Sequence, residues 1–176
     1  MISESSADVV IETQRLQLRR FAFTDAAFFI RLLNDPDWIR FIGDRDVHTD
    51  AQACAYMQKA YMAQYERMGF GLYLVQLKAD RTPIGMCGLI KREGLDDVDI
   101  GFAFLREFRG EGYAHEAAAA SIDYARDTLN MKRVVAIATP DNVSSIALLQ
   151  KIGLRFDSTT RLKDEQVDLV VYAISF

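Results

Sequence analysis

The stretch from Phe104 to Glu116 combines two glycines with several charged residues at a junction between two predicted elements. The apolar run from Val98 to Leu105 predicts a strand, and the alanine-rich run from Ala114 to Leu129 predicts a helix. A glycine-rich turn that opens a helix gathers free backbone N–H groups at the positive end of the helix dipole. Gly110 and Gly112 allow the backbone to close around a ligand that a Cβ would keep away. The stretch therefore predicts an anion-binding site.

Three phosphate-binding patterns compete for this turn. The dinucleotide pattern G-x-G-x-x-G needs a glycine where His115 stands, and the next predicted strand ends at Thr139-Pro140 without an acid for a ribose. The nucleotide P-loop needs Gly-Lys-Ser/Thr, which the sequence lacks. The third pattern is Arg/Gln-x-x-Gly-x-Gly/Ala, met here by Arg109, Gly112 and Ala114. It resembles the acetyl-CoA pyrophosphate loop of the GCN5-related N-acetyltransferases, and an ordinary strand-to-helix turn remains the alternative.

Composition limits the class of protein. With 176 residues, half of them hydrophobic, the chain predicts one α/β domain over residues 1–176. A net charge of -4 argues against a nucleic-acid partner and suits a cationic acceptor such as an amine. Cys54 and Cys87 are the only cysteines, so neither a disulfide framework nor a metal site is expected. Residues 1–12 lack a signal-peptide pattern and no apolar run is long enough for a membrane span, which predicts a cytoplasmic protein without membrane contact.

The first half of the chain predicts one strand, two helices and then a meander. After a lead-in of about eight residues, the alternation in Thr13 to Arg19 is typical of a half-buried strand. One helix ends before Asp35-Pro36, the segment from Trp38 to Val47 is expected to be irregular, and a second helix runs from a capping box at Thr49 and Gln52 to Gly69. Three strand-like runs with short polar connectors follow and predict an antiparallel meander. These runs are Gly71 to Lys78, Pro83 to Lys91 and Val98 to Leu105.

The second half supplies a parallel partner for the last meander strand. The run from Arg133 to Thr139 is apolar on both faces and returns through a helix, so it should lie in the middle of the sheet, parallel to the strand that ends at Leu105. Asn142 can cap a short helix that Gly153 ends, and an antiparallel hairpin closes the chain. The expected fold class is α/β (α+β), a mixed central sheet of about seven strands with four helices.

A second motif strengthens the resemblance to the GCN5-related N-acetyltransferases (GNAT). The residues Asn142, Ser145, Leu148, Lys151 and Gly153-Leu154 follow the central strand as the second acetyl-CoA motif of that family does. The opening T-Q-R-L-Q-L-R and the closing D-L-V-V-Y are similar to the RimJ/RimL-like ribosomal-protein branch, so the resemblance covers nearly the whole chain. It implies the GNAT fold, whose two parallel middle strands splay apart and hold the pantetheine arm, with acetyl-CoA as acyl donor.

The resemblance also implies site residues. Amides from Arg109 to Ala114 would hold the pyrophosphate, and an amide near Phe104 or Leu105 would bind the thioester oxygen. Ser145 becomes the expected acid because no tyrosine lies in the second motif, and Asp99 is the expected base. The expected cofactor-binding residues come from the end of the meander, the glycine-rich turn and the second motif: Phe104, Leu105, Arg109, Gly110, Glu111, Gly112, Tyr113, Ala114, Asn142, Ser145 and Lys151.

Each of these roles has a purely structural alternative. Ser145 and Asn142 could simply satisfy backbone groups at a helix start, Asp99 could be a solvated strand-edge carboxylate, and Phe104 could be core packing. Two residues depart from the branch, since His115 replaces a small hydroxyl residue and Leu154 replaces a phenylalanine.

The acceptor is the least determined part of the prediction. A protein N-terminal amine is the first expectation, followed by a small amine, an antibiotic or an amino acid. A sensor that binds acyl-CoA without transferring the acyl group is the alternative from another class of protein. Acceptor identity should depend on the segment from Trp38 to Val47, where Trp38 and Phe41 could line a groove, and on the final hairpin. A homodimer is a further expectation.

Overall fold

Eight strands form one mixed sheet in the computed structural model, which describes residues 8–163 and 166–176. The strands are β1 (Val9–Glu12), β2 (Leu16–Arg19), β3 (Leu72–Leu77), β4 (Pro83–Ile90), β5 (Val98–Phe104), β6 (Arg133–Ala138), β7 (Arg155–Thr160) and β8 (Leu169–Ser175). The helices are α1 (Ala26–Leu33), α2 (Pro36–Phe41), α3 (Asp50–Met57), α4 (Ala63–Met68), α5 (Tyr113–Asp123) and α6 (Val143–Lys151). A π-helical turn, Gln58–Met62, joins α3 to α4, so the described chain has five helical rods.

The sheet contains a single parallel contact among its described strands. The strand order is β1-β2-β3-β4-β5-β6-β8-β7, and every neighbouring pair is antiparallel except β5 with β6. The parallel pair is in register only at Val98 with Val134 and at Asp99 with Val135, although β5 continues to Phe104 and β6 to Ala138. The two strands therefore splay apart in the middle of the sheet, which confirms the predicted arrangement.

The parallel pair follows from how the chain crosses over. β5 leads into α5, which packs on β4 and β5 through the fully buried Ala117 and Ala118. Such small side chains let a helix lie close to a sheet, and the chain then returns to form β6 beside β5. Val134 and Ala136 are almost fully buried, as expected for a strand covered on both faces.

Two elements were not predicted. Thr13 sits inside the predicted first strand but forms a turn, in which its amide donates to the Leu16 carbonyl at 3.0 Å, and the extra strand β1 precedes that turn. Helix α2 occupies part of the segment expected to be irregular. Pro36 does end α1, but it is also the first residue of α2, where Asp35 caps the helix by accepting from the Asp37 amide at 2.9 Å.

The predicted ends of the long helix and the closing hairpin are confirmed. The Thr49 capping box opens α3, and Gly69 ends the rod in a left-handed conformation with φ +77°. The closing hairpin forms from β7 and β8. Most of the predicted lead-in before the first strand lies outside the described residues. None of the described helices is long and apolar enough to cross a membrane.

Candidate active site

A cleft of about 800 Å³ opens where β5 and β6 diverge. Parallel strands present their carboxyl ends at the same edge of a sheet, so the helices that follow them, α5 and α6, both begin beside this cleft. The opposite wall is formed by α2 and by the π-helical turn between α3 and α4. The walls contain mainly apolar side chains, with a few polar groups that converge on the cleft: Asp35, Asp37, Arg45, Arg92, Asp99, Arg109, Asn142, Ser145 and Lys151.

The predicted anion-binding loop lies at one end of this cleft and has unused backbone donors. Gly110 and Gly112 have φ values of +84° and +82°, a conformation that favours glycine. Gly112 is the N-cap of α5 without a side-chain cap, and the first helical bond is the one from Glu116 N to Gly112 O at 3.0 Å. Within 8–163 and 166–176, the N–H groups of residues 110–115 donate to no protein acceptor. Free donors at the start of a helix are the geometry that binds an anion.

Arg109 lines the cleft, but its amide and its guanidinium are both bonded within the protein. Its amide already donates to the Arg106 carbonyl at 3.2 Å, so it is not among the free donors. Its guanidinium Nε donates to the Phe104 carbonyl at 2.9 Å, Nη2 to Asp35 at 3.1 Å, and Nη1 bonds to Asp37. Two carboxylates and a carbonyl thus hold this charge. Arg109 joins the end of β5 to the start of α2.

Arg15, which the sequence analysis did not single out, fixes the start of α5. Its amide and Nε donate to Glu116 at 2.9 and 2.7 Å, its Nη1 donates to the Glu111 carbonyl at 3.0 Å, and its guanidinium lies 4.4 Å from the Tyr113 ring centroid. Burial alone would raise the pKa of Glu116, but hydrogen bonds from Thr13 and Arg15 outweigh it and lower that pKa. The loop is therefore anchored to the turn before β2.

Phe104 and Leu105, both predicted to bind the donor, face different ways. The Leu105 amide donates to the Ile84 carbonyl at 3.0 Å and its side chain is buried, so this prediction is corrected for Leu105. Adjacent residues of an antiparallel strand point their backbone groups in opposite directions. Phe104, paired in register with Gly85, therefore turns its amide away from β4 and towards the opening beside β6. It also lines the cleft.

Asp99 lies at the point where β5 and β6 separate. It is the most deeply buried acidic residue of the described chain. Its Oδ2 bonds to Arg92 Nε, while Oδ1 has no hydrogen-bond partner in the described chain. Burial raises the pKa of Asp99 to about 6, and Arg92 limits the increase. The solvated strand-edge carboxylate considered from the sequence is not what the structure contains.

The start of α6 brings two predicted residues to the cleft. The Asn142 side chain caps the helix by accepting from the Ser145 amide at 3.3 Å, and both residues line the cleft. The Ser145 hydroxyl makes no hydrogen bond to any other described residue, so it can donate to a bound molecule. Lys151 lies at the other end of α6 and lines the cleft as well.

The remaining loop residues are divided between cleft and surface. Tyr113, Ala114 and His115 line the cleft at the first turn of α5, whereas the Glu111 side chain is exposed and does not. Across the described residues, no group of three or more His, Cys, Asp or Glu side chains is arranged to hold a metal ion.

Part of the cleft has aromatic walls. Trp38 and Phe41 on α2 line it, as their sequence position suggested, together with Tyr56 and Tyr61. These tyrosines belong to the continuous helical segment formed by α3, the π-helical turn and α4, which we call the α3 rod. The Tyr56 and Tyr61 rings are 5.9 Å apart and packed edge to face. We call this part of the cleft the acceptor half. No sequence signal pointed to Tyr56 or Tyr61, because their spacing is equally typical of a helix packed on a core.

Comparison with known proteins gives a consistent family match. Residues 15–155 match the family described as "Acetyltransferase (GNAT) domain". The uncharacterized N-acetyltransferase YnaD of Bacillus subtilis (strain 168) is 30% identical over 145 residues, which is 82% of this chain and 82% of YnaD. The resemblance inferred from the two motifs is thereby confirmed.

Solved structures agree with the fold. An acetyltransferase from Agrobacterium tumefaciens str. C58 superposes with a TM-score of 0.81 at 24% identity, covering 97% of this chain and 96% of that one. The ribosomal L7/L12 alpha-N-protein acetyltransferase RimL, solved in complex with coenzyme A, superposes with a TM-score of 0.76 at 16% identity, covering 96% of this chain and 98% of RimL.

Proposed function

This chain belongs to the GNAT acetyltransferase family, and we propose that it transfers an acetyl group from acetyl-CoA to a primary amine inside the cleft between β5 and β6. The observation that carries the proposal is the run of free amides over residues 110–115 at the head of that cleft. We further propose that residues 1–176 act as one N-acetyltransferase domain, in the cytoplasm.

The residues present fit acetyl-CoA. Amides of residues 110–115 would hold the diphosphate, and the positive end of the α5 dipole adds about 0.3–1 kcal/mol before direct hydrogen bonds are counted. Asn142 and Lys151 on α6 would contact the remainder of the cofactor across the cleft. The splayed end of β5 leaves backbone donors of the sheet available to the pantetheine arm.

The chemistry needs groups that move two protons. Acetyl-CoA supplies an activated thioester, whose C–S bond breaks as a C–N bond forms to the amine. The Phe104 amide would bind the carbonyl oxygen, where negative charge develops. Asp99 Oδ1 would accept the proton that the amine loses, and Ser145 would donate a proton to the departing thiolate.

Burial makes Asp99 a suitable base. A pKa of about 6 leaves the carboxylate mostly ionised at neutral pH and yet more basic than an exposed aspartate. The Arg92 pair keeps one oxygen in place, so the other is the available acceptor.

For the acceptor, a protein N-terminal amine of the RimJ/RimL-like kind is one candidate, supported by the ribosomal-protein substrate in RimL's name. A small amine is the other, supported by the enclosed aromatic acceptor half. A homodimer also remains part of the proposal.

Release of free thiol from acetyl-CoA, measured across a panel of peptides and small amines, tests the function. We expect release that depends on an added amine and that falls strongly in Asp99→Asn, while Asp97→Asn, which removes a half-exposed carboxylate paired with Arg133, retains it. Tight acetyl-CoA binding without amine-dependent release from any panel member would contradict the proposal and favour an acyl-CoA sensor.

A further inference from the structure

Several polar groups of the acceptor half can only donate hydrogen bonds. Trp38 Nε1 is one of them, and it is buried with no acceptor among the residues that the structure describes. Arg45 and Arg92 line the same cleft and also can only donate. Asp99 Oδ1 is a buried acceptor, and the Tyr56 and Tyr61 phenols can donate or accept. A molecule with one donating group and several accepting ones would complement these side chains.

Arg45 is a solvent-exposed cation without a counterion in the described structure. It lies on the segment after α2 and lines the cleft, and its Nη2 donates only to the Ile42 carbonyl at 3.3 Å. It forms no ion pair with any residue in 8–163 or 166–176. Its chain neighbours Asp44 and Asp46 do not line the cleft, and Asp46 lies 3.2 Å from His48 instead.

Arg92 adds a second charge to the same space. Its Nε bonds to Asp99, and neither of its Nη atoms bonds to another described residue. Arg45, Arg92 and Tyr61 all line the cleft. Burial raises the pKa of Tyr61, and the positive charges of the two arginines act in the opposite direction. The three side chains therefore face a common volume in a protein whose net charge is negative.

We propose that the acceptor is a small primary amine that also carries a carboxylate, that is, a molecule of the amino-acid class. This rests on the proposed acetyl transfer and specifies its substrate. The amine donates to Asp99 Oδ1, and the carboxylate accepts from Arg45 and Arg92, since guanidinium and carboxylate match in shape and charge. Phe41 and Tyr56 cover an apolar side chain. A protein N-terminus has a neutral peptide carbonyl beside its amine and would leave Arg45 and the Nη atoms of Arg92 without a carboxylate partner.

The test compares leucine, leucinamide, 3-methylbutylamine and a leucine-initiated peptide amide as acceptors, each at the same concentration of free amine. We expect kcat/KM for leucine to exceed that for leucinamide by roughly tenfold or more, because a site built to bind a polar group rejects the analogue that lacks it. Arg45→Gln should bring the ratio close to one and Arg45→Lys should restore part of it. Arg67→Gln, which removes an exposed arginine at the far end of the α3 rod, should leave the ratio unchanged.

A binding measurement separates failure of this inference from failure of the proposed function. Trp38 is the only tryptophan, so its fluorescence reports directly on the acceptor half. With CoA present, leucine should change that fluorescence at concentrations where leucinamide does not, even if no acceptor releases thiol. Equal turnover of leucine and leucinamide, or preference for the peptide, would overturn the carboxylate site while leaving acetyl transfer intact. Equal fluorescence titrations would overturn it as well.

Discussion

Asp99 is the most deeply buried of the described carboxylates that line the cleft. A carboxylate that is 1% exposed loses its hydration, and a single arginine partner compensates only in part, so its pKa rises to about 6. Its Oδ1 makes no hydrogen bond of ordinary geometry in the described structure, although the Ile137 backbone amide helps to limit the rise in the carboxyl pKa. A donor that arrives with the substrate would satisfy this oxygen.

The first prediction follows from that pKa. Below about pH 6, Asp99 is protonated and cannot accept a proton. We therefore expect kcat to fall about tenfold per pH unit as the pH drops below that value. Asp99→Asn should remove this limb and lower kcat by about 10²–10⁴-fold at pH 7.5. A pH profile of single-turnover rates is the measurement. If Asp99→Asn keeps the same fall in rate at acidic pH, a group other than Asp99 causes that fall.

Ser145 gives the second prediction. Because its hydroxyl is free in the described structure and its amide is held by Asn142, Ser145→Ala should remove a proton donor without altering the start of α6. We expect kcat to fall by about 10²-fold or more, the usual contribution of a positioned acid. The dissociation constant of acetyl-CoA should change by less than about threefold, because the hydroxyl acts on the departing thiolate. Stopped-flow turnover and calorimetry measure the two. Ser158→Ala, at an exposed serine of β7 that does not line the cleft, is the control, and equal turnover in both variants would remove Ser145 from the acid role.

Individual residues differed in how far the sequence could predict them. Asp99 and Ser145 were identified because family motifs fix their position relative to strand and helix. Arg15 could not be, because its contact with Glu116 joins residues 101 apart and leaves no local pattern. The free charge of Arg45 was equally hidden, since it depends on where Asp44 and Asp46 point.

At the scale of elements, the ion-pair group around Arg109 links the two halves of the site. Arg109 ties the carbonyl at the end of β5 to Asp35 and Asp37 at the start of α2, the helix that carries Trp38. The segment proposed to bind the cofactor is thus connected to the wall of the acceptor half through one side chain.

The third prediction concerns that connection. Arg109→Gln should loosen α2 and raise the KM for the amine more than the KM for acetyl-CoA, because the free amides of residues 110–115 do not depend on the guanidinium. We also expect a loss of about 1–2 kcal/mol in the free energy of unfolding, a typical range for a partly exposed network. Kinetics and urea denaturation measure both. Arg106→Gln, an exposed neighbour, is the control, and a selective loss of acetyl-CoA affinity in Arg109→Gln would instead support a phosphate contact.

Elements were predicted where the signal is local and missed where one residue serves two purposes. The capping box at Thr49 and the glycine at 69 are short patterns with one structural meaning. The sequence predicts only that Pro36 ends α1, although proline also fits the first turn of a helix. Thr13 continued an alternating pattern while its side chain and amide formed a turn.

At the scale of the whole molecule, the cleft follows from one irregularity in an otherwise regular sheet. Two register pairs join β5 to β6, and beyond them the strands diverge at the middle of eight strands. The order of elements predicted this arrangement, because a helical crossover makes the strands parallel. The order of elements could not predict which side chains line the cleft, since α2 and the α3 rod reach the cleft only through tertiary packing.

The most direct test of the account is hydrogen–deuterium exchange of the backbone amides with and without acetyl-CoA. We predict strong protection of residues 110–115 on addition of acetyl-CoA, and none there on addition of S-acetylpantetheine, which lacks the diphosphate. Protection centred elsewhere, or equal protection by both compounds, would contradict the assignment of these amides to the diphosphate of the donor.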